Sequence, residues 1–225
     1  KLIIAIDVGS YSIKAAVFEV NARSKQISSV SKKIFNLPLS QSGDRLKDSK
    51  VTASRIREII FNFLKELKRV PDKIVIGLDS PLAESKIETF KTSFSKRESK
   101  ISKEKLDDLF NSLIGEENKK IAGAGKVILQ SRPISVFING YEVRDFKNYI
   151  SGDEVTFKAF VSYLDSERAN DFLIIPRMLG GIPIEFSSTI FNLGKAVADK
   201  IPGAKECSVL DIGGLYTNLI IIHSG

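Results

Sequence analysis

The strongest constraint on this chain is a pattern that occurs twice, once near each end. Residues 3–20 read IIAIDVGSYSIKAAVFEV, and residues 207–225 read CSVLDIGGLYTNLIIIHSG. In both, an apolar run reaches an Asp-x-Gly, turns through a few small or polar residues and leaves in a second apolar run. Each segment predicts a β-hairpin. A single Asp-x-Gly after a strand is usually a plain turn, with Asp folding back on the backbone and Gly taking positive φ. Two of them, flanked alike, point to a shared chemistry.

That chemistry suits a phosphate clamp with a divalent cation. Gly9, Gly213 and Gly214 lack a Cβ, so backbone N–H groups can approach anionic oxygens closely. Ser10 and Ser12 can donate hydroxyls, and Lys14 can bring a point charge to a phosphate. Asp7 and Asp211, one from each hairpin, could hold waters around Mg²⁺. No P-loop or GxGxxG offers another nucleotide site; GAGK (123–126) has the wrong spacing and reads as a turn before a strand.

Composition narrows the class. With 225 residues and 43% hydrophobic content the chain can bury a sizeable core. No apolar run approaches the roughly 18 residues needed to cross a bilayer. Cys207 is the only cysteine, which excludes an internal disulfide framework and a cysteine metal site and fits a reducing compartment. The net charge of +7 raises a nucleic-acid reading. The basic residues are scattered among acids, as in SKRESKISKEKLDD (95–108), with no aromatic-laced stripe, so a solvated basic face is preferred.

Periodicity predicts strands at 2–8, 13–20 and 26–37, a helix over 51–67 and a short strand at 73–78 of the kind buried on both faces. From about Leu82 the chain becomes more polar. It reads as strand (85–94), helix (103–114), strand (126–139), a turn at Asn139-Gly140 and a strand (153–164). Residues 82–164 are therefore expected to be a small α+β module inserted into an α/β domain made of 1–81 and 165–225. The larger domain resumes with a helix after Asp165 or Ser166 that Pro176 should kink or shorten, a strand at 182–186, a helix capped by Ser187 or Ser188, and the second hairpin. His223 ends a strand and reads as hydrated, Cys207 as a small core residue, and Tyr11 as either packed on the turn or exposed.

IDVGSYSIKAAV resembles the first phosphate loop of the actin, Hsp70 and sugar-kinase superfamily, and LDIGGLYTNLII its second. The order of elements, with a strand-helix-strand-strand insert, resembles the bacterial cell-division protein FtsA and its relative, the pilus protein PilM. The resemblance implies an actin-like (ribonuclease H-like) ATPase subdomain carrying an SHS2-type module. It implies ATP and Mg²⁺ held by Asp7, Gly9, Ser10, Tyr11, Ser12 and Lys14 facing Asp211, Gly213, Gly214 and Thr217, with Mg²⁺ reached through water from Asp7 and Asp211. It assigns no catalytic residue and at most weak ATPase activity. Partners by the FtsA resemblance are an FtsZ-like protein, other division proteins and further copies in a filament, with no nucleic acid. The location implied is cytoplasmic, at the inner face of the membrane at the division site, with membrane contact through a segment absent from this chain. The alternatives are a PilM-like pilus scaffold or a sugar-kinase-type phosphotransferase. Leu215 and Asn218 depart from the loop's usual third glycine and acid, and Thr217-Asn218 is closer to PilM. Because family members continue past the second loop, these residues are expected to be the N-terminal part of such a protein or an unusually short relative.

Overall fold

The computed structural model describes residues 1–24, 26–36, 48–78, 82–143, 150–200 and 206–223. Residue 37, the last of the strand expected over 26–37, falls outside the described residues. In chain order the first elements are β1 (Leu2–Val8), β2 (Ser12–Val20), β3 (Ile27–Asn36), α1 (Ser49–Glu66) and β4 (Lys73–Gly77). Then come β5 (Ala83–Ile101), α2 (Lys103–Ala122), β6 (Lys126–Ile138), β7 (Tyr141–Glu142) and β8 (Ile150–Asp165). The chain closes with α3 (Ser166–Met178), β9 (Ile184–Ser187), α4 (Thr189–Lys200), β10 (Glu206–Ile212) and β11 (Thr217–His223). Two compact units result, one of 1–84 with 167–225 and one of 85–166.

The larger unit is built on a five-stranded sheet of order β3-β2-β1-β4-β9, antiparallel across β3, β2 and β1 and parallel across β1, β4 and β9. Strand alternation sends Leu2, Ile4, Ile6, Ile13, Ala15, Val17, Ile74 and Ile76 to one buried face. Helix α1 brings Ala53, Ile56, Ile59, Ile60 and Phe63 to the core at the three-and-four spacing that its sequence shows. Asp48 caps the helix by accepting from the Val51 N–H at 3.0 Å. Helix α3 adds Phe172, edge-on to Phe186 at 6.3 Å, and its Asp171 accepts the Ser49 hydroxyl of α1 at 2.5 Å. Pro176 sits in the last turn of α3, and Gly180 and Gly181 take positive φ (59° and 94°) just beyond, so the helix stops there instead of kinking.

The expectation that 73–78 is buried on both faces is corrected. Ile74 and Ile76 are buried, whereas Val75, with Ala5, Ala16 and Phe18, floors an open groove of about 490 Å³ on the other side of the sheet. Hairpin β10–β11 forms its own two-stranded sheet. One face meets α4, where Gly194 lets the helix approach so closely that a Cβ would lie 2.9 Å from Ile220. The other face leaves Leu210, Ile212, Leu219 and Ile221 exposed. Cys207, read as a core residue, is only partly buried. His223 is not merely hydrated, since its Nδ1 lies 3.0 Å from Glu206 across the hairpin.

The second unit has a four-stranded sheet of order β5-β8-β6-β7. Helix α2 packs Leu106 and Phe110 against Val155, Phe157, Ala159, Val161 and Tyr163 of β8. The helix runs eight residues past its expected end at 114. Gly115 is tolerated because nothing surrounds it, and Ile121 continues the apolar stripe onto the core. The Asn139-Gly140 turn has φ of 51° and 82°, the pair of positive values its sequence suggests. Tyr163 donates to Glu88 at 3.0 Å, and Lys86 pairs with the same carboxylate while lying 5.1 Å over the Tyr163 ring. Lys86 chiefly, and Tyr163, hold the Glu88 carboxyl below its usual 4.5.

Two outcomes follow. Phe63→Ala empties a fully buried site and should cost about 3–5 kcal/mol in urea unfolding. A lowered carboxyl pKa stabilises the fold above its ordinary value and loses that contribution as pH falls through the lowered one. Glu88→Gln should therefore flatten the acid limb of stability as pH falls below the ordinary value of 4.5, and an unchanged limb would exclude the Glu88 network as its source.

Candidate functional site

The two Asp-x-Gly hairpins have the same local design. In each, a glycine N–H donates to a carbonyl three residues on, Gly9 to Ser12 at 3.1 Å and Gly213 to Tyr216 at 3.0 Å. Strand register then sets Asp7 opposite Lys14 and Asp211 opposite Asn218. The glycines are there for space. A Cβ on Gly9 would stand 3.0 Å from the Ser12 carbonyl, and one on Gly213 would stand 2.8 Å from that of Tyr216. None of the positive-φ glycines lies in these turns, so the left-handed conformation expected of a plain Asp-x-Gly turn is not the reason for them.

The tips meet. Ser10 Oγ accepts from the Leu215 N–H at 3.0 Å, and Gly214 lies so close that a Cβ would fall 2.7 Å from the Tyr11 Cβ. Tyr11 is thus both packed on the opposing turn and 55% exposed. Between the hairpins and the start of α4 is a cavity of about 280 Å³. Asp7, Gly9, Ser10, Tyr11, Ser12, Lys14, Asp211, Gly213 and Gly214 line it, as the sequence suggested. Thr217 does not: strand alternation turns it away from the cavity, just as Ile13 is turned away in the first hairpin, while the neighbouring Asn218 faces in.

Thr189 is a lining residue that the sequence reading missed. It opens α4, and its hydroxyl donates to Asp7 Oδ1 at 3.3 Å. The signal was not local. Parallel pairing sets Asp7 beside Gly77, and β9 then delivers Ser187, Ser188 and the helix start to that edge. Ser188 caps α4 by accepting from Phe191 N–H at 3.2 Å, so the first turn borders the cavity with no acidic residue in it.

Charges in the site are unevenly shared. Asp7 has Lys14 Nζ at 3.6 Å from Oδ2, whereas the partner of Asp211 is the neutral Asn218 amide at 3.2 Å. Two carboxylates and one lysine leave the lining net negative at neutral pH. Such a cavity would hold phosphate oxygens only together with a cation. No cluster of three or more His, Cys, Asp or Glu ligands occurs among the described residues.

Neither a family model nor a curated protein matches this chain. Solved structures show that the chain has the actin-like ATPase fold. The likeness is to the PilM–PilN type IV pilus biogenesis complex, with a TM-score of 0.58 at 15% identity, covering 98% of this chain and 58% of that one. A Ppx/GppA family member from Aquifex aeolicus aligns over 99% of this chain and 48% of its own at 12% identity, with a TM-score of 0.37, too low to bear on the argument. This chain thus spans somewhat over half the length of the PilM-type structure.

Ser10→Ala removes the acceptor that joins the tips. Exchange of the Leu215 amide with solvent should accelerate about tenfold or more, consistent with loss of a hydrogen bond of about 1.4 kcal/mol. Unchanged protection measured by NMR would mean that the tips are held by packing alone.

Proposed function

We propose that this chain is the nucleotide-binding part of an actin-like scaffold of the PilM type, in which Mg-ATP bound between the two hairpins switches assembly with a partner. The observation that carries this is the convergence of both Asp-Gly hairpins on one cavity, tip against tip. The residues present fit the group. Three glycines let the two turns close tightly beside the cavity, and hydroxyls, a lysine and two carboxylates line it. Ser10, Ser12 and Lys14 would contact phosphate oxygens, and the Gly9, Gly213 and Gly214 backbone would approach them. Asp7 and Asp211 would orient waters on Mg²⁺, whose charge offsets that of the phosphates. Hydrolysis, if it occurs, is slow in this reading, and nucleotide state acts on assembly rather than on turnover.

The likeness to a pilus biogenesis complex favours a cell-envelope scaffold, with a PilN-like protein as the partner class. A division role of the FtsA type uses the same nucleotide site and differs in its partners, an FtsZ-like protein and further copies in a filament. The strand-helix-strand-strand unit between β4 and α3 keeps that reading in view. No helix among the described residues is long and apolar enough to cross a membrane. Either role would place the chain at the cytoplasmic membrane face through other segments or partners. A sugar kinase would need an acidic base aimed at a substrate hydroxyl. Among the described residues, the carboxylates that line the cavity are Asp7 and Asp211, both already given to the ion.

Calorimetric titration with ATP tests the reading. Binding should require Mg²⁺, reach a Kd of about 0.1 mM or tighter (about −5.5 kcal/mol), and vanish in Asp7→Ala and Lys14→Ala. Folded wild-type protein that binds no Mg-ATP would overturn it. Pull-downs of purified PilN-like and FtsZ-like proteins, with and without Mg-ATP, separate the two roles, and phosphorylation of a small sugar would replace both.

A further inference from the structure

The structure assigns Thr189 as a positioning residue for Asp7, with Gly77 as the vacancy that lets it reach. Thr189 is the first residue of α4, yet the helix does not need its hydroxyl, because Ser188 already caps the N-terminus through Phe191 N–H. The hydroxyl instead donates to Asp7 Oδ1 at 3.3 Å while Lys14 faces Oδ2 at 3.6 Å. One partner on each oxygen fixes the rotation of the carboxylate, which would otherwise swing about its sp³–sp² bond. Both contacts are at the long end of the range for polar contacts. Gly77 is the residue paired with Asp7 across β1 and β4, and a Cβ there would lie 2.1 Å from Thr189 Oγ1. Any other residue at 77 would push the threonine off the carboxylate.

This inference rests on the proposed nucleotide site for its consequence, though not for the contact itself. Two readouts on the whole chain keep them apart. In ligand-free protein the Asp7 side-chain carboxyl ¹³C resonance should move in Thr189→Val and return in Thr189→Ser. With Mg-ATP, affinity should fall about tenfold in Thr189→Val and stay within about twofold of wild type in Thr189→Ser, where the hydroxyl is restored. Gly77→Ala should lose affinity like Thr189→Val although the hydroxyl is still present. Adding Thr189→Ala to Gly77→Ala removes the clash, so thermal stability should recover while affinity does not. An unmoved Asp7 resonance overturns the contact. A moved resonance with unchanged Mg-ATP affinity overturns the positioning role. Wild-type protein that fails to bind Mg-ATP defeats the nucleotide reading, and with it the consequence drawn for Thr189, while the carboxyl resonance still decides the contact.

Discussion

Two turns can approach this closely only where one of them lacks a side chain, and this unit depends on one such contact. Gly214 lies against Tyr11, and the Leu215 N–H reaches Ser10 Oγ across the gap. Because the tips meet there, strand ends about two hundred residues apart in sequence bring Asp7 and Asp211 to the same cavity. Helix α4 closes the other side, touching Asp7 through Thr189 and β11 through Gly194. Glycine is required at each of these points by the closeness of another chain segment. Larger residues would separate the walls even if every strand still formed.

The hairpins match in backbone and differ in charge. Lys14 and Asn218 occupy the same register position, yet only the first neutralises its aspartate. The first hairpin therefore offers an anion a cation and hydroxyls, and the second offers a carboxylate with little compensation. A metal-bound phosphate chain, negative at the oxygens and positive at the ion, is complementary to that polarity. A bare phosphate is not, because the lining alone is net negative.

Much of this was legible because it is local. The α1 stripe, the Ser188 cap and the Asn139-Gly140 turn are written in spacings of two to four residues. Both glycine turns were legible for the same reason, and nine of the ten residues expected to act together line one cavity. Thr217 faces away from it while its neighbour Asn218 faces in, because strand neighbours point opposite ways. Thr189 could not be read, since its role arises from the parallel register of β1 with β4 and of β4 with β9. The sequence reading ended α2 at 114, just before Gly115, although an exposed glycine costs a helix only about 1 kcal/mol and the helix continues to Ala122. The runs of β10 and β11 read as apolar throughout, and an apolar run does not announce which of its sides is covered.

The central claim is that two distant hairpins make one site. Amide resonances of isotope-labelled protein, followed during titration with Mg-ATP, test it most directly. The account predicts that Gly9–Ser12 and Gly213–Tyr216 shift together and saturate along one binding curve. Shifts confined to one turn, or two curves with different midpoints, would contradict it.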